Sequence, residues 1–522
     1  MSKKLAGLIV LGLASATPAF AAGQAEAKGL VEDSSLNVLL RNAFINRDYK
    51  GGRHDSGEWG QGAIANFESG FTQGTVGFGV DAFAAYAVRL DGSRDRAGNW
   101  GIDFFKQDST GMPEKDVAKG GASLKLRFSN TVLAYGDLRP NLPVLSHDNS
   151  RLLPESYTGT MLTSTEIEGL EFNAGTFHAQ SRKSDEGRDS GGLKGIDVIG
   201  ASYKFNDAFS GAFYASDVED VLKRQYLNLN YVLPIASNSL TFDFNGYRTK
   251  QDADFQPGKS RIWSLASTYA TGPHAFTLAY QRNNGDIDYN YGFYQSEGWI
   301  GDGGGSIWLA NSYWSDFNAA DEQSWQVAYT VDFAAYGLPG LSYRIAYVRG
   351  HDIDVGTTTD GKEHELFNQL SYKVQSGAAK DLNVRLRAST LRVSDNARAY
   401  NSSGNVTIGV DMLHSPTAFA GFALGRHSYG GKFDTAEAKV DALETSFTFY
   451  GKAFVGPAYL GWQLGLGNID YTHVDSVMLV APISDAKHGE TSGDRKLARV
   501  SAGVPYQFGA LTLTPKLDLT SQ

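Results

Sequence analysis

Cationic side chains recur at every second position in several apolar stretches of this 522-residue chain. Lys125 and Arg127 alternate with leucine and phenylalanine, and Arg385 and Arg387 alternate with valine, leucine and alanine. Such groups bind carboxylates through charge-assisted hydrogen bonds. A row of them would offer an anion successive sites that replace its lost hydration. The spacing also fits cations that simply pair with acidic groups on the same face.

The elements that carry these cations are predicted to be β-strands, because side chains of a strand point alternately to its two faces. Alternation of apolar and polar residues continues from residue 36 to the end of the chain, with turn and loop residues between the stretches. No helical stretch is available to cover the apolar faces, so we expect them to face lipid. The predicted fold class is all-β, a transmembrane antiparallel β-barrel.

The start of the chain reads as an export signal. The one long apolar run, residues 5–14, is too short to span a bilayer as a helix. Lys3 and Lys4 precede it and Ala-Phe-Ala follows at 19–21. We therefore expect a signal peptide over residues 1–21 and a mature protein in the bacterial outer membrane. A mean hydropathy of −0.29 is too polar for a helical membrane protein.

Composition argues against several function classes. The chain has no cysteine, which excludes disulfides, thiolate metal sites and cysteine catalysis. A net charge of −10 argues against nucleic acid as a partner. No nucleophile elbow, zinc-protease motif or P-loop is present, and His147 and His364 form no metal-binding helical face. We expect no enzyme activity, no cofactor and no metal site.

Loop lengths also follow the pattern of outer-membrane barrels. Short Gly, Asn and Asp breaks alternate with long polar stretches, which places short turns at one end and long external loops at the other. The long stretches are 91–119, 139–159, 181–195, 283–305 and 351–363.

Two loops have compositions that a free external loop does not need. Residues 139–159 combine three prolines with five leucine and valine residues. We expect this stretch to fold into the lumen, and packing over the barrel mouth is the alternative. Residues 303–317 join glycines to Trp308, Tyr313 and Trp314 beside Asp316. They predict an acidic, hydrogen-bonding constriction or, alternatively, an interfacial aromatic patch.

Five stretches of the chain resemble the OprD family of outer-membrane porins, in order, over about residues 24–404. The stretches are LVEDSSLNVLLRNAFINRDY (30–49), FESGFTQGTVGFGVDAF (67–83), PVLSHDNSRLLPESYTG (143–159), IWLANSYWSDFN (307–318) and VQSGAAKDLNVRLRAS (374–389). The resemblance implies a monomeric barrel of about eighteen strands. It also implies a substrate-selective channel for small carboxylate-bearing nutrients, including basic amino acids and aromatic acids.

The resemblance further implies a lumenal ladder of cations. The family motif places the ladder on Arg47, Arg127, Arg385 and Arg387, and Lys373 is included as a cation on the same strand face as the family position at Ser371. Lys373 is displaced along its strand face from the position where the family pattern has its cation.

An acidic pocket at the eyelet is implied as well, at Ser312 and Asp316, with Trp314 where a tyrosine is common. The implied constriction-loop residues are Ser146, Asp148 and Arg151.

The last part of the chain departs from that family. The stretches IGVDMLHSPTAFAGFALGRHSYGG (408–431) and ETSFTFYGKAFVGPAYLGWQLGLGNIDY (444–471) resemble part of an autotransporter β-domain. We expect a porin barrel at 22–404 and an autotransporter-like fragment of five or six strands at 405–522. The fragment is explained by gene fusion, by a frameshift or assembly product, or by extra strands in a larger or second sheet.

The function predicted from the sequence is passive uptake of small carboxylate-bearing solutes by an outer-membrane porin. The alternatives are an autotransporter-like translocator and a porin–autotransporter fusion with impaired channel activity. The expected partners are the solutes, outer-membrane lipid and lipopolysaccharide, and the barrel-assembly machinery. We expect a monomer.

Overall fold

A computed structural model gives the fold of the chain. It describes residues 23–47, 56–91, 102–252, 257–289, 291, 307–376 and 383–397, and a series of strands between 406 and 521. The predicted signal peptide lies outside the described residues, as does the side chain of Arg47.

Strands make up nearly all of the regular structure. Among the described residues there are also three short 3-10 helices, at Gln24–Glu26, Phe333–Tyr336 and Asp395–Ala397. No helix within the described ranges has the length and apolar character needed to cross a membrane. The strands are β1 (Ser35–Arg47), β2 (Ser56–Glu68), β3 (Val76–Asp91), β4 (Asp116–Phe128), β5 (Thr131–Leu138), β6 (Asn141–Leu142), β7 (Leu145–Ser146), β8 (Ser156–Ser164), β9 (Leu170–Ser181), β10 (Ile196–Lys204), β11 (Phe209–Val218), β12 (Leu222–Ile235), β13 (Asn238–Gln251), β14 (Gly258–Thr271), β15 (His274–Asn283), β16 (Gln323–Asp332), β17 (Leu341–Ile353), β18 (Gly361–Lys373), β19 (Asn383–Val393), β20 (Val406–Leu413), β21 (Ala418–Lys432), β22 (Ala438–Val455), β23 (Ala458–Leu479), β24 (Ile483–Gly503), β25 (Tyr506–Phe508), β26 (Leu511–Leu513) and β27 (Lys516–Ser521).

Eighteen of these strands, β1–β5 and β8–β20, form one sheet, as the family resemblance implies. From β1 to β15 each strand of the sheet pairs antiparallel with the next, while β6 and β7 form a separate small hairpin. A second antiparallel sheet contains β21–β24 and β27, and β25 pairs with β26. The alternation in the sequence therefore predicts the secondary structure on both sides of residue 405.

The two faces of the large sheet have opposite chemistry, and β4 shows the pattern. Leu124, Leu126 and Phe128 are exposed, whereas Lys125 and Arg127 between them are buried. We call the face with the exposed apolar side chains the outer face and the other the inner face. Apolar groups that are exposed in this regular way suit contact with lipid, because hydrocarbon solvates them and water does not.

Connections between the strands differ in length at the two ends of the sheet. Two residues separate β4 from β5, β12 from β13 and β14 from β15. Residues 182–195 connect β9 to β10, and residues 284–322 connect β15 to β16. This is the predicted pattern of short turns at one end and long loops at the other, and outer-membrane barrels place the long loops outside.

One of the long connections packs on the inner face of the sheet. We call residues 139–155 the proline segment. Leu152 and Leu153 are buried in a cluster with Ile64 and Ala85 of the wall and with Phe105. The buried apolar groups of its first half are Leu142, Val144 and Leu145, which join a second cluster around Tyr157 and Phe177. All five leucine and valine residues on which we based the prediction of a folded-in loop are thus buried.

By internal contacts the chain divides into two compact units. The first contains Met1–Tyr329, Ala346–Leu366 and Thr390–Asn405. The second contains Thr330–Ile345, Phe367–Ser389 and Val406–Gln522. The proline segment and residues 307–322 both belong to the first unit.

The packing of the proline segment leads to a stability prediction. Leu152→Ala should destabilise the docked segment by about 2–5 kcal/mol, because it removes a fully buried side chain and leaves a cavity. Hydrogen exchange of residues 139–155 should accelerate accordingly. Leu124→Ala is the matched control, because Leu124 is 63% exposed on the outer face. Equal exchange rates in the two variants would contradict the assigned packing.

Candidate functional site

Residues 307–322, which we call the eyelet segment, cross the inner face of the sheet. The main-chain N–H groups of Trp308, Ala310 and Asn311 donate to wall side chains at 3.0–3.1 Å. A segment held through its own backbone keeps its path whatever side chains it carries. The three acceptors are Tyr247 Oη on β13, Ser264 Oγ on β14 and Gln281 Oε1 on β15.

Two buried carboxylates of β18 fix the middle of the eyelet segment. Glu365 accepts the main-chain N–H of Trp314 with both oxygens, at 3.0 and 3.2 Å, and that of Ser315 at 2.9 Å. Glu363 accepts the Ser315 hydroxyl at 2.6 Å. The two acids of β18 thus accept two successive main-chain N–H groups and one hydroxyl, and they anchor the middle of the eyelet segment.

The structure brings together Ser312 and Asp316 of the predicted acidic pocket, and it adds Tyr291, which sequence reasoning missed. Asp316 accepts hydrogen bonds from the hydroxyls of Ser312 and Tyr291, one on each carboxyl oxygen. Asn318 Nδ2 in turn donates to Tyr291 Oη at 2.5 Å. Burial raises the pKa of the Asp316 carboxyl, and the two hydroxyl donors act against that rise. The acidic group of the pocket thus already accepts one hydroxyl hydrogen bond on each of its two oxygens.

An aromatic column extends from this pocket to a buried cation. The guanidinium of Arg224, on β12, lies 4.3 Å from the ring centre of Tyr289. The Tyr289 and Tyr291 rings are 5.1 Å apart, and Tyr291 reaches Asp316. A cation over an aromatic face is stabilised by the ring quadrupole. The only sequence signal for this column is the spacing of Tyr289 and Tyr291 at period two.

The predicted constriction-loop residues bind the proline segment to its surroundings. Asp148 pairs with Lys183 at 2.5 Å, and its main-chain N–H donates to Glu155 at 2.9 Å. Burial acts to raise the pKa of Asp148, but the Lys183 ammonium and the hydrogen bonds from Ser150 together outweigh it and hold that pKa below its usual value. Ser146 donates to Asn141 at 3.2 Å.

Arg151 is held in the same way. Its Nε donates to the main-chain oxygen of Ile102 at 2.5 Å, and its Nη1 donates to Ser150 Oγ at 3.0 Å. In the described structure, the contacts given for Ser146, Asp148 and Arg151 thus hold the proline segment in position.

Arg127 lies at the short-turn end of β4, under a cover. Its guanidinium stacks 4.1 Å from the ring centre of Phe71, and its Nε donates to Gln24 Oε1 at 3.0 Å. Arg127 is only 4% exposed, so little of its side chain faces open water. Lys125, two residues earlier, pairs with Asp81 at 2.5 Å. Lys125 thus matches the alternative in which an inner-face cation pairs with an acidic group on the same face, whereas Phe71 and Gln24 cover Arg127.

The remaining predicted ladder cations belong to the second unit. Arg385 and Arg387 flank Leu386 on β19, and Leu386 is exposed in the manner of the outer face. The two arginines consequently point to the inner side of their strand. Arg387 Nε donates to Gln369 Oε1 on β18 at 2.9 Å. Lys373 lies on the same face of β18 as Gln369 and is exposed.

Comparison with known proteins gives two family matches. Residues 28–409 match the model of the outer membrane porin, OprD family. Residues 384–522 match the autotransporter beta-domain model. Residues 384–409 are matched by both.

Individual relatives agree with the first match. The chain is 42% identical over 395 residues to Porin D of Pseudomonas aeruginosa, with 71% of this chain and 88% of the relative covered. It is 31% identical over 387 residues to the porin-like protein GalP of Pseudomonas putida, with 71% and 89% covered.

Solved structures show the same fold. OccAB1 of Acinetobacter baumannii superposes with a TM-score of 0.68 and 39% identity, over 75% of this chain and 98% of the relative. OpdK of Pseudomonas aeruginosa, solved with vanillate, gives a TM-score of 0.61 and 29% identity, over 74% and 98%. The predicted fold class and outer-membrane location are confirmed. The chain belongs to the OprD family of outer membrane porins.

Proposed function

We propose that this porin passes small carboxylate-bearing solutes, namely basic amino acids or aromatic acids, across the outer membrane by passive diffusion. The observation that carries the proposal is the shared face of Arg385, Arg387 and Lys373 in the second unit. A cation on the lipid face near the membrane midplane costs about 2–4 kcal/mol, so these groups belong on the water-filled side. There they form successive sites for a carboxylate.

The mechanism needs no energy source. A carboxylate that leaves water loses hydration, and an arginine replaces it with paired N–H donors in fork geometry. Arg387 is already oriented by Gln369, which limits the conformational freedom lost when a solute binds. Successive cations at a spacing of about 7 Å along a strand let the solute gain the next site as it leaves the last.

The eyelet segment, in the first unit, offers a solute contacts of a different kind. Asp316, with the hydroxyls of Ser312 and Tyr291 around it, suits an ammonium or another hydrogen-bond donor. The tyrosine column suits an aromatic ring. Trp314, where the family commonly has tyrosine, brings no hydroxyl to this pocket. The relative OpdK was solved with vanillate, an aromatic carboxylate, which supports the second solute class.

A fusion of a porin with an autotransporter fragment is the second candidate. The autotransporter match at 384–522 and the separate sheet of β21–β24 and β27 favour it. Under this proposal the porin region covers 22–404 and the fragment 405–522. Lipid, lipopolysaccharide and the barrel-assembly machinery are proposed partners, and the protein is proposed to be a monomer.

The arginine pair gives the main test of the channel proposal. Arg385→Ala with Arg387→Ala should lower carboxylate uptake into proteoliposomes more than uptake of neutral sugars of similar size, because only the carboxylate uses the cations. Lys28→Ala with Lys204→Ala is the matched control and should change neither rate, since both lysines lie in exposed positions outside the proposed ladder. Equal loss for carboxylates and sugars would refute the ladder.

The eyelet acid gives a pH-dependent prediction. Asp316 favours cations while it is ionised, so the cation preference of the channel should fall as pH drops through its pKa. Ser312→Ala removes a donor that lowers this pKa, so the transition should move to higher pH. Reversal potentials in planar bilayers measure it, and Asp316→Asn should abolish the transition. A transition that moves to lower pH in Ser312→Ala, or stays in place, would contradict the assignment.

The fusion proposal is tested on the full-length chain. A folded porin should migrate differently on gels before and after boiling, and it should then conduct in planar bilayers. Absence of the mobility shift would mean that the C-terminal sheet blocks assembly and that the fusion is inactive as a channel. Release of a soluble fragment from intact cells by surface proteolysis would instead indicate a translocator.

A further inference from the structure

Six cations lie on the outer face of β12–β15, near the end with the long connections. Lys223 is on β12, Arg248 and Lys250 on β13, Lys259 and Arg261 on β14, and Arg282 on β15. Five of them are exposed and Arg282 is half-buried. We call these six residues the basic patch. It belongs to the first unit and lies on the face opposite to the eyelet segment.

Strand register brings these like charges face to face. Lys250 is directly opposite Lys223 on one side and Lys259 on the other. Arg248 is directly opposite Arg261. Directly opposed residues have Cβ atoms about 5 Å apart, and like charges at that separation destabilise a sheet. An arrangement with several such pairs is unfavourable unless an external anion neutralises it.

Carboxylates of the chain neutralise only a small part of the patch. Asp217 pairs with Lys223 at 2.5 Å, and the charge of Asp252 also acts on Lys223. Asp286 accepts the main-chain N–H of Lys259 at 2.5 Å. In the described parts of the chain, the side chains of Arg248, Lys250 and Arg261 have no carboxylate within ion-pair distance, and the buried Arg282 Nε has no hydrogen-bond acceptor.

The position of the patch identifies the kind of anion. Trp263 lies directly opposite Arg282, stacks on Phe244 at 6.2 Å and contacts Tyr280 at 5.6 Å. Aromatic side chains in this arrangement form the girdle at a membrane interface. Arg261 and Lys259 are two and four residues from Trp263, about 7 and 13 Å further toward the long connections. The patch therefore lies at the level of the headgroups of the outer leaflet.

We propose that the basic patch binds the phosphates of the bisphosphorylated disaccharide headgroup of lipopolysaccharide. Two rows of cations about 7 Å apart, on strands about 5 Å apart, can contact more than one phosphate of a single headgroup. Arginine supplies paired N–H donors for phosphate oxygens, and lysine supplies a point charge. The acyl chains of the same lipid then cover the exposed Leu227, Leu229 and Leu265 below the girdle.

Binding of bisphosphorylated lipid A to the purified full-length porin tests this proposal, with native mass spectrometry as the readout. Lys250→Gln with Lys259→Gln should weaken binding by about tenfold or more, since each cation near an anionic surface contributes about 1 kcal/mol. Lys28→Gln with Lys204→Gln removes two exposed lysines outside the patch and should leave binding unchanged. Equal loss in both variants, or no loss in the first, would overturn the proposal.

Measurements on the unmodified chain test the proposal independently. They remain decisive if the Lys250→Gln, Lys259→Gln variant does not fold. Monophosphorylated lipid A should bind more weakly than the bisphosphorylated form, and added salt should weaken the latter. Inorganic phosphate should not displace lipid A at comparable concentration. Equal affinity for both lipids, or displacement by phosphate alone, would exclude the glycolipid headgroup as the specific occupant.

Discussion

The structure depends on one constraint, which is that a strand in the membrane has lipid on one face and water or protein on the other. Apolar groups such as Leu124 can stay exposed on the outer face, while polar groups of the inner face need partners. The inner face supplies those partners from inserted loops. Glu363 and Glu365 are buried, and each receives hydrogen bonds from the eyelet segment. The same requirement that places charges inside thus also fixes the constriction.

The sequence predicts this layout as far as local pattern can. Alternation places the start of the first strand at residue 36, and the strand begins at Ser35. The prolines and leucines of residues 139–159 predict the inserted segment, because exposed loops do not require leucine. Contacts between distant parts of the chain carry no such signal. Gln24 covers Arg127 across 103 residues, and Arg224 reaches Tyr289 across three strands. For that reason the ladder could be placed on strands from sequence, but the covering of Arg127 could not.

The C-terminal region shows how permissive strand pairing is. Residues 384–409 match both family models, so the transition between the two families falls among β19 and β20. Hydrogen bonds between strands are made by the backbone, and they do not depend on which family supplies the side chains. The polarity of the two sheet faces does depend on the side chains. A strand that joins the sheet must therefore have apolar residues on the same face as its neighbour. Leu464 and Leu466 are exposed at period two in β23, as lipid-facing residues are in β4.

The anchoring of the inserted segments determines how the pore behaves in time. The proline segment is closed by Asp148 with Lys183 and Glu155, and the eyelet segment by Glu363 and Glu365. Segments held by several buried hydrogen bonds, with an ion pair in the proline segment, open rarely, because local opening must break all of these contacts together. Both segments therefore hold their places on the inner face before any solute arrives, so a solute meets groups whose positions are already fixed.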